Sequence, residues 1–529
     1  MVGKRNANWN TLGYRAPLLP SWLGPRLGLR RTIGIAPLVS ILAARPRNPR
    51  IAPWWRSWLA LALLVGLLGG LWRALPLLVQ APLIALANSY DETRYSACFD
   101  LYPDRPADIP PTQNSPQAPF SRYVFRANDQ PMCYWSSELL FQGAVVVLYR
   151  AQAALTGQHS FSVRWLGSLK FAVLLGLWAA FSLAWWRRGE AWPALANGLL
   201  LPLLFVDPAN TIYLNTFYAE WTALLALYTL CSLILLYANA ANSRRASWLL
   251  AAAAFVLALS KIQHLLLPCV CALIVLGAGY WRNNRHWPWQ GKALLLGALA
   301  GLSVQVVQLQ RDSDAIRAID MFNRADVTFT GLLPNARDPA ATASALGIAP
   351  DCLRFIGLRA WQMSDYPEHA CPGLVNVTRG RELATLLHEP GLSWRLFWHG
   401  ALALDPWLAP GLGLVEGGNF HKMPNGYFSL SDALTAAPPL RALVLGGPPL
   451  ALILLLLSGP QRRPRLLIYT ALTVATMLAT LGITVLGDGL ADTPKQGHLI
   501  VNAALAWWIC ILVLAVGRLA TRRRSPAAI

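Results

Sequence analysis

Ten stretches of this chain are apolar over lengths that match a lipid bilayer, and nothing else in the sequence narrows the fold as far. They fall at about 58–87, 166–186, 193–212, 217–238, 246–260, 263–281, 292–310, 437–458, 466–486 and 498–517. A membrane-spanning helix needs roughly 17 to 25 such residues. With 55% hydrophobic residues, 13% charged residues and a mean hydropathy of +0.40, a soluble globular chain is excluded. The expected fold is an all-α polytopic membrane protein of about ten transmembrane helices, with juxtamembrane helices and two periplasmic loop regions. The run at 246–260 is short. The run at 58–87 is overlong, with Arg73 inside it and Pro76 and Pro82 placed to bend it.

Charge sets the orientation, because short cytoplasmic loops are rich in Lys and Arg. With the N-terminus inside, the cytoplasmic segments hold the ten basic residues of positions 1–57, then Arg187 and Arg188, Arg244 and Arg245, Arg282 and Arg285, Arg462, Arg463 and Arg465, and the tail Arg518, Arg522, Arg523 and Arg524. Of the 25 acidic residues only Glu190 shares that side. The net charge of +20 therefore reads as membrane orientation and affinity for anionic lipid headgroups, not nucleic-acid binding. The chain divides into a basic cytoplasmic segment 1–57, a transmembrane module 58–310 with a first periplasmic loop at 88–157, a periplasmic loop domain 311–436, and C-terminal helices with a basic tail, 437–529. The first segment lacks the short positive region and the cleavage site of a signal peptide and is expected to stay attached. Thr32 to Ala44 is weakly apolar and reads as an interfacial helix.

Cys98 and Cys133 lie in the first outer loop, Cys352 and Cys371 in the second. An even count in each suits an oxidising compartment, and pairing within each loop is the simplest of three pairings. Cys231, Cys269, Cys271 and Cys510 sit in apolar runs as small hydrophobes. Residues 139–155 are apolar but interrupted by Gln142, Arg150 and Gln152, so they are placed along the membrane surface. If they spanned, every later loop would invert.

Where the first run meets water stand Asn88, Ser89, Tyr90, Asp91 and Glu92. Adjacent carboxylates at a bilayer surface call for cationic partners or a proton; the plain alternative is a solvated acidic loop. Further on, YDE at 90–92, QPMCYWSSELLFQ at 130–142, TGQHSFSVRWLGSL at 156–169 and LSKIQHLLLP at 259–268 follow one another in an order and sidedness that resembles the GT-C superfamily of membrane glycosyltransferases. Protein O-mannosyltransferases and the lipid A aminoarabinose transferase are members that it resembles. The resemblance covers the first 280 residues best. It places Arg164 at that family's recurrent arginine and Lys261 at its lysine between two helices.

The resemblance implies transfer of a sugar from a polyprenyl-phosphate carrier to a glycan, lipid or protein acceptor on the periplasmic face of a bacterial inner membrane. Such chemistry needs a carboxylate within hydrogen-bond reach of the acceptor hydroxyl, and cations to stabilise the leaving phosphate in a site of low dielectric. Asp91 is the expected base, with Glu92 orienting the acceptor or a cation. Arg164, Lys261, His264, Lys495 and His498 are the candidates for the phosphate. Each has a plainer reading: Lys261 as a snorkelling helix-end lysine, the histidines as ordinary interfacial residues, Lys495 as a loop charge, and Arg164 as a partner of Glu138 or a lipid phosphate. Glu220 opens an apolar helix beside Asn215 and Tyr218 and faces either a polar cavity or its own helix N-terminus.

In 311–436, Asp312-Ser313-Asp314 copies a metal-binding DxD, but no strand precedes it. Residues 381–404 read as a helix stopped at Pro390 and an amphipathic helix on the membrane. Asn376-Val377-Thr378 matches an N-glycosylation sequon. Paired-cysteine and HExxH metal spacings, Walker loops, GxSxG and Rossmann fingerprints do not occur. No cofactor is called for; a divalent cation at Asp91 and Glu92 is the one admitted option. A transporter or lipid-carrier flippase would place charges near mid-membrane and often shows an internal repeat. A non-catalytic assembly protein for envelope glycans would have no need for acids and cations that converge.

Overall fold

A computed structural model describes residues 53–87, 89–104, 119–126, 133–238, 243–281, 287–404, 413–417, 428–458 and 464–522. The expected interfacial helix at 32–44 lies outside them. The apolar runs are helical: α1 (Pro53–Val79) is followed by the short α2 (Ser89–Ser96) and α3 (Leu139–Thr156). Then come α4 (Arg164–Arg187), α5 (Ala191–Leu200), α6 (Glu220–Tyr237), α7 (Arg244–Ser260), α8 (Leu267–Trp281) and α9 (Trp287–Arg311). The outer lobe contributes α10 (Ser313–Asp326), α11 (Arg379–His388), α12 (Pro390–Leu402) and α13 (Leu430–Ala436). The chain ends with α14 (Pro438–Leu457), α15 (Pro464–Asp488) and α16 (His498–Arg522).

The first run departs from its expected length. Its helix ends at Val79, and Ile84–Ala87 form a buried strand, β1, paired antiparallel with Gly413–Val415. Pro82 has no amide hydrogen and pushes Ala81 out of the helical region. Near the end of α5 the backbone widens into a π-helical turn, Leu201–Phe205, and α7 is 17 residues long. Among the described residues nine helices are long and apolar enough to cross a membrane, and these two shorter helices are not among the nine.

Helix α3 is one of the nine, yet the chain does not cross there. Strands β2 (Leu101–Pro103), β3 (Arg122–Phe125) and β4 (Ser160–Ser162) form one antiparallel sheet. Residues on either side of α3 therefore share one face of the membrane. Its buried face, Val145, Val146 and Tyr149, packs on that sheet, with Tyr149 stacked on Phe161 at 4.9 Å. The surface placement expected from Gln142, Arg150 and Gln152 agrees with this.

The other eight of these nine helices, with α5 and α7, run between two groups of connections. At one end, Ser136 donates to the Ser260 carbonyl, Arg311 to the Cys133 carbonyl, the Ser429 hydroxyl to Asp207, and the Leu490 amide to Thr330. At the other, Arg188 meets the Leu236 carbonyl and Arg465 clasps Glu190. Among the described residues, Arg188 and Arg465 belong to this second end. The first end carries two small cores of its own: one around Tyr123, Phe161 and Phe217, the other around Phe329, Phe355 and Leu396. Each is stapled by a disulfide, Cys98–Cys133 and Cys352–Cys371, the pairing expected within loops. In α12, Leu392, Leu396 and Gly400 are buried while Trp394 and Trp398 stack outward, as an amphipathic helix should.

Candidate functional site

Helix α2 begins two residues before Asp91, and acids in a first turn are favoured by the helix dipole. Neighbours on a helix point about 100° apart, so the adjacent carboxylates part company. Asp91 turns to cations and remains 21% exposed. Lys495 donates to its Oδ2 at 2.9 Å, Arg94 lies 3.1 Å from Oδ1, and the Tyr218 hydroxyl donates at 3.3 Å. Burial pushes this carboxyl up, and Lys495 and Arg94 together outweigh it, holding Asp91 well below the usual carboxylate range. Glu92 turns inward, 2% exposed, and accepts from the Phe217 amide at 2.9 Å and the Tyr123 hydroxyl at 3.2 Å. Burial pushes it up to about 8 against those two bonds.

A second acid–cation contact stands beside the first. Glu220, at the first position of α6, meets the Lys261 ammonium at 2.5 Å, and Lys261 also donates to Gln496 Oε1 at 3.2 Å. Extended backbone at Lys261 ends α7 and begins the turn Ile262–His264. That turn carries its ammonium to the bundle end instead of along the bilayer. His498 Nε2 donates to the Glu220 carbonyl at 3.0 Å. The Lys495 ammonium sits 4.4 Å over the Tyr218 ring and 3.4 Å from Asp492. Burial raises the Asp492 carboxyl and takes Asp326 up to about 8, where Asp488 and Asp492 add like charge.

Of the residues singled out by sequence, Asp91, Glu220, Lys261, Lys495 and His498 therefore meet, joined through Tyr218 and Gln496. His264 is buried next to Lys261 but contacts Ser260 Oγ at 2.9 Å. Arg164 stands apart and donates to the Gln80 carbonyl at 2.5 Å. Its suggested partner Glu138 instead pairs with Lys170 at 2.7 Å, both side chains fully buried. The sequence reading missed Arg94, Gln496 and Lys170. Arg94 was signalled by its place three residues after Asp91 on one helix. Lys170, a lone lysine inside an apolar run, was signalled as an intramembrane charge. Among the described residues no group of three or more His, Cys, Asp or Glu is arranged to hold a metal ion.

The family model of the YfdI N-terminal transmembrane domain matches residues 77–370, more than half of the chain. The chain belongs to that family. No curated protein and no solved structure matches it. The matched region runs from the last turns of α1 into the second outer lobe and supplies Asp91, Arg94, Tyr218, Glu220 and Lys261. Lys495, Gln496 and His498 come from the C-terminal helices beyond it, so the group is assembled from the family domain and the segment that follows.

Proposed function

We propose that this membrane protein is a glycosyltransferase of GT-C type, moving a sugar from a polyprenyl-phosphate carrier to an acceptor on the periplasmic face of a bacterial inner membrane. The observation that carries the reading is the Asp91 carboxylate. It lies just beyond the first membrane helix, bound to Lys495 and Arg94 and next to the Glu220–Lys261 pair. In the reaction the acceptor oxygen bonds to the anomeric carbon, the bond from that carbon to the carrier phosphate breaks, and the acceptor proton passes to Asp91. Lys495 and Lys261 stabilise the charge that gathers on the leaving phosphate.

At rest the two cations make Asp91 a weak base. A carrier phosphate competes for Lys495 and Arg94, and their partial withdrawal raises the basicity of Asp91 where the acceptor must lose its proton. Binding the donor thus activates the base. Glu92, turned away from the cations, holds the 213–218 loop that presents Tyr218 and takes no part in proton transfer.

Mass spectrometry of lipid carriers and envelope glycans from a strain lacking the protein tests the class of reaction. The expected result is accumulation of a polyprenyl-phosphate sugar together with loss of one sugar from a glycan, lipid or protein. Unchanged carrier pools and unchanged glycans would contradict it.

A further inference from the structure

At the bundle end opposite Asp91, helices α8, α14 and α15 leave an apolar crevice of about 300 Å³ between them. Its walls include Ile274, Gly277 and Trp281 of α8, Leu456 of α14, and Pro464 and Ala471 of α15, and among the described residues no charged one lines it. Trp281 is the last residue of α8 and Pro464 the first of α15. The crevice therefore opens at the helix ends and runs inward past Ile274 and Ala471, a rise of about 10 Å at 1.5 Å per residue. One leaflet of the hydrocarbon core is roughly 15 Å deep, so the crevice covers about two-thirds of it.

Position 277 borders open space. A Cβ built there meets nothing within 4 Å. Leu273, Leu450, Ile453 and Leu457 of α8 and α14 are exposed, and both helices belong to membrane spans. The crevice is thus continuous with the surface that faces hydrocarbon. A protein helix, about 10–12 Å across with its side chains, is too wide for a space of this volume, whereas one linear hydrocarbon chain fits its length.

We propose that this crevice is a binding site for one acyl chain of a bilayer phospholipid, in the leaflet opposite the Asp91 group. The sugar carrier is not the occupant. In the proposed reaction the carrier phosphate belongs at the other face of the membrane, and a methyl-branched isoprenoid is broader than an acyl chain. The crevice itself does not depend on the proposed reaction, but the exclusion of the carrier rests on it.

The full-length protein in nanodiscs containing a phospholipid with a mid-chain diazirine tests it by photo-crosslinking and peptide mapping. Crosslinks are expected in 274–281 and 464–471. Gly277→Phe, which fills the crevice without a clash at Cβ, should abolish them and leave crosslinks at the exposed residues Leu450 and Ile453 intact. Ala471→Leu, narrowing the opposite wall, serves the same purpose should the first variant not give a monodisperse protein. Crosslinking that is equal in wild type and both variants overturns the site. So does its loss on adding a polyprenyl phosphate but not on adding unlabelled phospholipid.

Discussion

Glu138–Lys170 and Asp91–Lys495 are the same chemistry built to opposite ends. Glu138 and Lys170 are sealed from solvent at 2.7 Å, with the Thr222 hydroxyl on the carboxylate and the Thr216 carbonyl on the ammonium. Every partner comes from the packed helices and the loop beneath the site. Asp91 keeps a fifth of its surface exposed, and its cations come from its own short helix and from a connection 404 residues away. A sealed pair whose charges cannot be resolvated must keep its geometry. A partly open one can exchange a carboxylate partner for a ligand's phosphate. The first pair holds the 213–222 region in place; the second is where chemistry can occur.

The largest effect on folding is expected from breaking the sealed pair. Lys170→Met leaves Glu138 buried without its cation, and a loss of about 3–5 kcal/mol is typical of such a change. Thermal unfolding in detergent should show it, and adding Glu138→Gln should recover most of it. Full stability of Lys170→Met alone would erase the distinction between the two groupings. Removing the Cys352–Cys371 bridge, which spans 19 residues, should cost about 3 kcal/mol on the chain-entropy model. The same change should leave the Asp91 group untouched. Matching stabilities with and without reductant would argue that the second lobe holds itself together without it.

A third effect concerns Glu92 and shows only as a pH dependence. Its carboxyl is raised from 4.5 to about 8 in the fold, so the protonated form stabilises the protein. That contribution is complete below about pH 4.5 and is lost as pH rises through 8. Glu92→Gln mimics the protonated form and should flatten the dependence of melting temperature on pH across this window. A wild-type slope surviving in Glu92→Gln would show that Glu92 is ionised and belongs functionally with Asp91.

Much of this architecture was legible in the sequence because few physical constraints decide it. A fixed rise per residue turns run length into spans, and arginine placement sorts the connections into two ends. Cysteines counted by loop gave the right bridges. The divergence of Asp91 and Glu92 was not legible, since Ser89–Ser96 has the sequence of a loop, and it is the helix formed there that turns the two side chains about 100° apart. Nor was the Lys170–Glu138 partnership, which depends on how α4 packs against the start of α3. Pro82 has the sequence signature of a bend in the first helix, whereas the helix stops at Val79 and a buried strand follows.

The central claim is that Asp91 receives the acceptor's proton, and the most direct measurement is sugar transfer by purified protein from a polyprenyl-phosphate donor, wild type against Asp91→Asn. Asparagine keeps the shape of the side chain and its contact with Tyr218 but cannot accept a proton. The account predicts unchanged folding and donor binding with transfer lowered by about 100-fold or more, the range for loss of a general base. Transfer by Asp91→Asn at the wild-type rate would contradict it.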